Sequence, residues 1–430
     1  MMMIKTRIIF LIFFLIANII SAQDTLKVLQ YNLLNYGNNT SYCTQINNNI
    51  NEKDEYIKTL INYVKPDIFS VNEISNSPAI HQRLLDNTLN VDGISYYRKA
   101  DFIKVADSYI VNMLYYNSEK LVLYSHTIAQ SYIRDIDVYK LYYRSDDLPD
   151  GDTAFVVCVV AHLKSSSGND NEEKRRTMVN NTMNYLDDNN INTNRLFMGD
   201  FNVYNSSEPA YQLLLNYSNP DLNFYDPIDT PGSWHNNSSY SSVHTQSTHS
   251  SSNGCAASGG MDDRFDFILI SDDMQQGSNF VQYVDGSYTA IGQDGLHYNT
   301  SINAAPTNLS APSGVIDALY GNSDHLPILI KLSVDKTLAL PENEHSLFTE
   351  IKYNNPVDKI LELNIHSKAV TDSKVDIMNL SGVVLFSDKT KIVTGQNKIE
   401  YNLSRLNAGI YFAVFTDDKN GRIVRKIVKK

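Results

Sequence analysis

Cysteine, tryptophan, positive charge and long apolar runs are all scarce in this 430-residue sequence. Three cysteines exclude a disulfide-dense miniprotein and a zinc site built from four thiolates. No run of about 20 apolar residues follows the N-terminus, so no stable membrane span is expected. A formal net charge of -12 excludes a generally basic nucleic-acid coat protein. Between Arg195 and Lys331 only Arg264 is positive. The one tryptophan, Trp234, precedes that arginine. Core packing is the common use of such a residue, and stacking on a base is the alternative. The remaining composition, 42% hydrophobic and 20% charged, is that of an ordinary globular chain. Its length suggests two or three domains.

Lys5 and Arg7 precede the apolar run Ile8–Ile20, broken only by Asn18. That run is short for a bilayer and suits the core of a signal peptide, with Ser21-Ala22-Gln23 as a small-residue cleavage site. Residues 1–22 are expected to direct export, and the protein to be secreted or held at the cell surface. Export permits disulfides. Cys158 lies in the apolar stretch Phe155–Val160 and reads as a small core residue. Cys43 and Cys255 sit in polar, Asn/Ser-rich sequence and are candidates for pairing, which sequence alone leaves open.

Charge divides the chain. Residues 23–335 carry a net -18 and residues 336–430 a net +4. The boundary is expected in a linker over 336–351, around Leu338–Glu344. The first part alternates strand-like runs (Leu26–Tyr31, Ile68–Val71, Ile110–Tyr116, Ala154–Ala161, Leu196–Gly199, Phe265–Ile270, Ile328–Leu332) with helix candidates at Glu52–Val64 and Asn171–Asp188. Residues 235–260 read as a long Ser/Asn/His/Gly-rich loop, and a loop of that length in a compact domain is usually functional or mobile.

Polar residues recur where the strand runs stop: Asn32, Glu73, His162, Asp200 with Asn202, Asp266, and Asp324 with His325. Singly, each reads as a turn former, a helix cap or a structural histidine. Their order carries more. Gln30-Tyr31-Asn32, Val71-Asn72-Glu73, Ala161-His162-Leu163, Gly199-Asp200-Phe201-Asn202, Arg264-Phe265-Asp266-Phe267 and Ser323-Asp324-His325-Leu326-Pro327 together resemble the endonuclease/exonuclease/phosphatase superfamily. That superfamily includes pancreatic deoxyribonuclease and abasic-site endonucleases. The resemblance implies a four-layer α/β/β/α sandwich of two mixed sheets over residues 23–335.

It also implies roles. Glu73 and Asp324 are hard oxygen donors suited to Mg²⁺ or Mn²⁺, with Ca²⁺ a further candidate and Asn32 a neutral ligand or positioner. His325 acts as general base on water or holds a phosphate oxygen, and Asp266 fixes its tautomer. Asp200 orients the water. Asn202 and His162 donate to the phosphate as charge builds. Arg134 stands where relatives place a phosphate-contacting cation, against a surface ion pair as the plain alternative.

Residues 352–430 show short strand runs with turns at Gly382, Gly395, Gly409 and Gly421, predicting a small all-β sandwich. Asn355-Pro356-Val357, Ser381-Gly382, Leu406–Phe412 and the basic end Lys426–Lys430 resemble the type IX secretion sorting domain of Bacteroidetes. The secretion machinery is then a partner.

The expected activity is that of a secreted divalent-metal phosphodiesterase, with nucleic acid as leading substrate and a monomer as the working state. The acidity of the main domain speaks against a broad DNA-wrapping surface. Phospholipid or sphingolipid phosphodiesterase, and phosphatase on small phosphoesters, are the competing activities. A non-catalytic binding protein is the competing class, and it should have lost some of the carboxylates or His325.

Overall fold

The computed structural model describes residues 23–146, 148, 153–336, 347–379, 383–418 and 422–430. The expected export signal, most of the expected linker, and Ser381-Gly382 and Gly421 lie outside the described residues. The first four strands, β1 (Gln23–Tyr36), β2 (Ile68–Ser75), β3 (Tyr97–Lys99) and β4 (Ile110–Asn117), belong to one sheet. The next six form a second sheet: β5 (Leu121–Gln130), β6 (Ile136–Tyr143), β7 (Phe155–His162), β8 (Arg195–Asp200), β9 (Phe224–Tyr225) and β10 (Asp266–Ser271). The chain then returns to the first sheet with β11 (Val281–Tyr283), β12 (Thr289–Ala290) and β13 (Ile328–Asp335). Both sheets are mixed. β1 runs parallel to β2 and β7 parallel to β8, while the other pairings are antiparallel.

The alternation of side chains along β7 shows how the layers form. Val156, Cys158 and Val160 enter the core between the two sheets, whereas Val157, Val159 and Ala161 pack under the outer helices. A strand buried on both faces reads as an unbroken apolar run, as this one does. Helix α1 (Ile50–Val64) covers the first sheet with Ile57, Leu60, Ile61 and Val64. Asn49 caps its start by accepting from the Asn51 amide, and Lys65 ends it in a left-handed turn before Pro66. Helices Asn169–Asp188 and Pro209–Leu215 cover the second sheet. The result is an α/β/β/α sandwich.

Trp234 is fully buried in the outer core of the second sheet, against Tyr211 and Phe267, and its Nε1 donates to the Thr230 carbonyl. Base stacking by Trp234 is therefore ruled out; burying the indole satisfies its apolar body and its single donor together.

The chain ends in an all-β unit of two sheets. One holds β14 (Phe348–Tyr353) and β15 (Ile360–Ser367). The other holds β16 (Thr371–Met378) and β17 (Val384–Ile392). β18 (Gly395–Asn402) joins the first, and β19 (Gly409–Thr416) and β20 (Arg422–Lys429) join the second. Strict alternation along β15 sends Leu361, Leu363 and Ile365 into a separate core.

Candidate functional site

Strand pairing alone brings most of the polar strand ends together. Asn32 lies opposite Asn72 across β1 and β2, so Glu73 follows at the next position. His162 lies opposite Asp200 across β7 and β8, and Asp266 opposite Asp200 across β8 and β10. Gly199 makes this possible: with φ at +142°, a Cβ there would sit 1.8 Å from the Ala161 carbonyl oxygen. Glu73 and Asn202 both adopt left-handed backbone conformations, at φ 58° and 53°. Such strain gathers at functional sites when the surroundings fix it.

Asn32 bridges the two sheets. Its Nδ2 donates to Asp200 Oδ2 (3.0 Å) and to Glu73 Oε1 (3.2 Å), and its Oδ1 accepts from the Leu34 amide. In this rotamer the amide positions the carboxylates rather than presenting its oxygen to them. Glu73 Oε2 also receives the backbone amide and Nδ2 of Asn35. Asp200 Oδ1 accepts from both the amide and Nδ2 of Asn202.

His325 completes the cluster. Its Nδ1 lies 2.8 Å from Asp266 Oδ2, which also accepts from Thr245 Oγ1. This arrangement fixes Nδ1 as the donor and turns Nε2 toward Asp200 Oδ2, 3.7 Å away. Nε2 also lies 2.7 Å from the side-chain amide nitrogen of Gln246. The 235–260 loop supplies Thr245 and Gln246. The same loop holds Asp324, through Thr248 N to its carbonyl and Ala257 N to its Oδ2. A disulfide between Cys43 and Cys255 ties this loop to the segment before α1.

Electrostatics separate the two histidines. Burial, with Arg134, His325 and Lys164 nearby, holds His162 well below its ordinary range. Burial would lower His325 too, but Asp266, Asp200 and Asp324 outweigh it and hold it well above. Burial and the charges of Asp266 and Glu73 push Asp200 up to about 7, against the opposing pull of His325.

Ligand atoms of Glu73, His162 and Asp200 lie within 4.8 Å of one another, close enough to share one cation. Asp324 lies outside this group; its Oδ1 faces His325 Nε2 at 3.9 Å and is buried without a hydrogen-bond partner among the described residues. An excess of carboxylate, two buried carboxylate oxygens left unpaired among the described residues (Asp266 Oδ1 and Asp324 Oδ1) and an imidazole held neutral fit a divalent cation of the Mg²⁺/Mn²⁺ kind, the imidazole favouring Mn²⁺.

A family model described as "Endonuclease/Exonuclease/phosphatase family" matches residues 29–313. The chain belongs to that family. Its members are generally divalent-metal phosphoesterases and include nucleases, phosphatases and phosphodiesterases. The match stops before Asp324 and His325, though the fold sets His325 beside Asp200 and Asp324 beside His325. A second model, "Secretion system C-terminal sorting domain", matches residues 352–430 and indicates export to the surface or beyond. No curated protein matches the chain. Among solved structures, the human Nocturnin catalytic domain with bound sulfate is similar at 14% identity and TM-score 0.44, covering 73% of this chain and 97% of its own. D. rerio TDP2 with a single-strand DNA product gives 13% and 0.44, covering 72% and 98%. A family protein from Bacteroides thetaiotaomicron gives 13% and 0.43, covering 73% and 97%.

Arg134 stands apart from the carboxylates. Its Nη1 donates to the Leu163 carbonyl, and it makes no ion pair among the described residues. Thr245, Gln246 and Asn35 had drawn no attention as sequence. Only the composition of the 235–260 loop hinted at the first two.

Proposed function

We propose that this family member is an exported, divalent-cation-dependent phosphodiesterase whose leading substrate is a nucleic-acid strand. The observation that carries the reading is the buried His325–Asp266 pair aimed at Asp200, next to Glu73 and His162. Glu73 anchors the cation, with Asp200 and His162 in reach of the same position and Asp324 behind. When bound, the cation supplies charge stabilisation for a phosphoryl oxygen and the leaving oxygen. Asp200 Oδ2, 3.7 Å from His325 Nε2, can accept the proton of a water, while His325, kept protonated by the carboxylates around it, donates from Nε2 to a phosphate oxygen. Asp266 steadies that imidazolium. Asn202 and Arg134 provide donors for the phosphate.

Tyr42 and Tyr109 support the nucleic-acid assignment. Both are about half exposed, their hydroxyls lie 3.0 Å apart, and Tyr109 feels the charges of Glu73 and Arg134. They form an aromatic surface at the edge of the site on which a base can rest. The acidity of the main domain and the burial of Arg264 favour weak, local strand binding over duplex wrapping.

The test is hydrolysis by the full chain of plasmid DNA, RNA, sphingomyelin and a small bis-aryl phosphodiester, with Mg²⁺, Mn²⁺ or Ca²⁺ and with EDTA. Cation-dependent cutting of DNA or RNA is the expected result. Cutting of lipid or small esters alone would overturn the substrate assignment but leave the chemistry standing. No cutting with any metal would favour a binding protein on this fold.

A further inference from the structure

One buried cation behind the site is not used in the chemistry above. Lys53, on α1, is 2% exposed. Its Nζ donates to the Leu34 carbonyl (2.9 Å), Asn48 Oδ1 (2.7 Å) and the Asn322 carbonyl (2.7 Å). Three acceptors match the three protons of an ammonium. Burial pushes it down to about 7, while Asp324 and Glu73 pull it back up.

The acceptors belong to two segments far apart in sequence. Leu34 and Asn35 form a left-handed turn, with φ 45° and 54°. The turn lets the Leu34 amide hold Asn32 Oδ1 and lets Asn35 hold Glu73 Oε2. Asn48 extends the clamp by donating to the Asn35 carbonyl. Asn322 leads directly into Ser323-Asp324-His325, and Ser323 Oγ donates back to the Asn32 carbonyl. The geometry points to Lys53 as a positioning residue that joins the Asn32–Asn35 turn to the Asn322–His325 segment and so fixes where Glu73, which anchors the cation, stands against that segment. This inference rests on the proposed cation site.

A positioning role and a mere charge role differ in sign. The ammonium repels a divalent cation, so charge alone makes Lys53→Met bind Mn²⁺ more tightly. Loss of positioning weakens binding. The experiment is Mn²⁺ titration by calorimetry on the full chain, for wild type, Lys53→Met, Asn48→Ala and Glu73→Gln, with thermal midpoints measured alongside. The expected result is a loss of tenfold or more in Mn²⁺ affinity for Lys53→Met. Asn48→Ala, the milder variant, decides the matter should Lys53→Met fail to fold, with threefold or more expected. Affinity equal to or tighter than wild type in whichever variant is folded overturns the inference. Where Glu73→Gln abolishes binding that Lys53→Met keeps, only the positioning role falls. Where wild type binds no Mn²⁺, or Glu73→Gln changes nothing, the cation site and this inference fall together.

Discussion

Two places in the main domain bury charge, and they do so in opposite ways. In the outer core of the second sheet, Arg264 and Asp226 form a two-pronged pair at 2.7 and 2.9 Å. The guanidinium lies over Phe267, 4.2 Å from the ring centre, and Tyr211 donates to the carboxylate. Each charge is answered. At the strand ends, Asp200, Asp266 and Asp324 crowd around His325, Glu73 adds its charge beside Asp200, and the Oδ1 atoms of Asp266 and Asp324 have no hydrogen-bond partner among the described residues. A balanced buried pair belongs to the fold, because removing one partner strands the other. An unbalanced cluster belongs to a site that takes up a cation, and the fold tolerates it at some expense of stability.

Breaking each place in turn should give opposite signatures. His325→Ala is expected to lower kcat by about 10³-fold or more in chain that a melting scan shows to be folded, measured by steady-state hydrolysis. Asp226→Asn is expected to destabilise the fold by about 3–5 kcal/mol in denaturant unfolding, with the folded fraction keeping its kcat. Removing the cross-link with Cys43→Ser, which frees a bond spanning 212 residues of sequence, should cost about 2–4 kcal/mol in the same assay.

The acid limb sharpens the comparison. Burial pushes Asp226 up, but Arg264 outweighs it and holds the carboxyl below its ordinary 3.8. Its stabilisation is therefore complete above about pH 4 and is lost as pH falls through the lowered value. Asp226→Asn should flatten the fall in stability below about pH 4, read from urea midpoints against pH. The smallest effect belongs to the rim. Tyr109→Ala should raise KM for a nucleic-acid strand a few-fold, by about 1 kcal/mol of lost stacking, and leave kcat on a small phosphodiester unchanged.

The contrast also explains what the sequence could and could not show. The central strands announced themselves, because a strand buried on both faces must be a run such as Phe155–Val160. Edge strands such as β5 mix polar with apolar residues and are only half-buried along most of their length, so no apolar run marks them. The strand-end carboxylates stood out by the order of the motifs that hold them, since singly each is an ordinary turn former or cap. Their supports did not. Thr245 and Gln246 lie in a loop whose composition says only that it is a loop, and Lys53 lies in a helix where a lysine ordinarily faces water. Trp234 offered base stacking as the alternative to core packing, and no one-dimensional pattern distinguishes the two. The fold consumes it in packing, with the buried Arg264 against its ring.

The most direct test of the account is Mn²⁺-dependent hydrolysis of a bis-aryl phosphodiester by wild type and Glu73→Gln, followed across a metal titration. The account requires saturable metal activation in wild type, abolished by EDTA, and a large loss in Glu73→Gln with the melting temperature kept. Hydrolysis that persists in EDTA, or that Glu73→Gln leaves intact, would contradict the claim that this carboxylate excess exists to hold a catalytic cation.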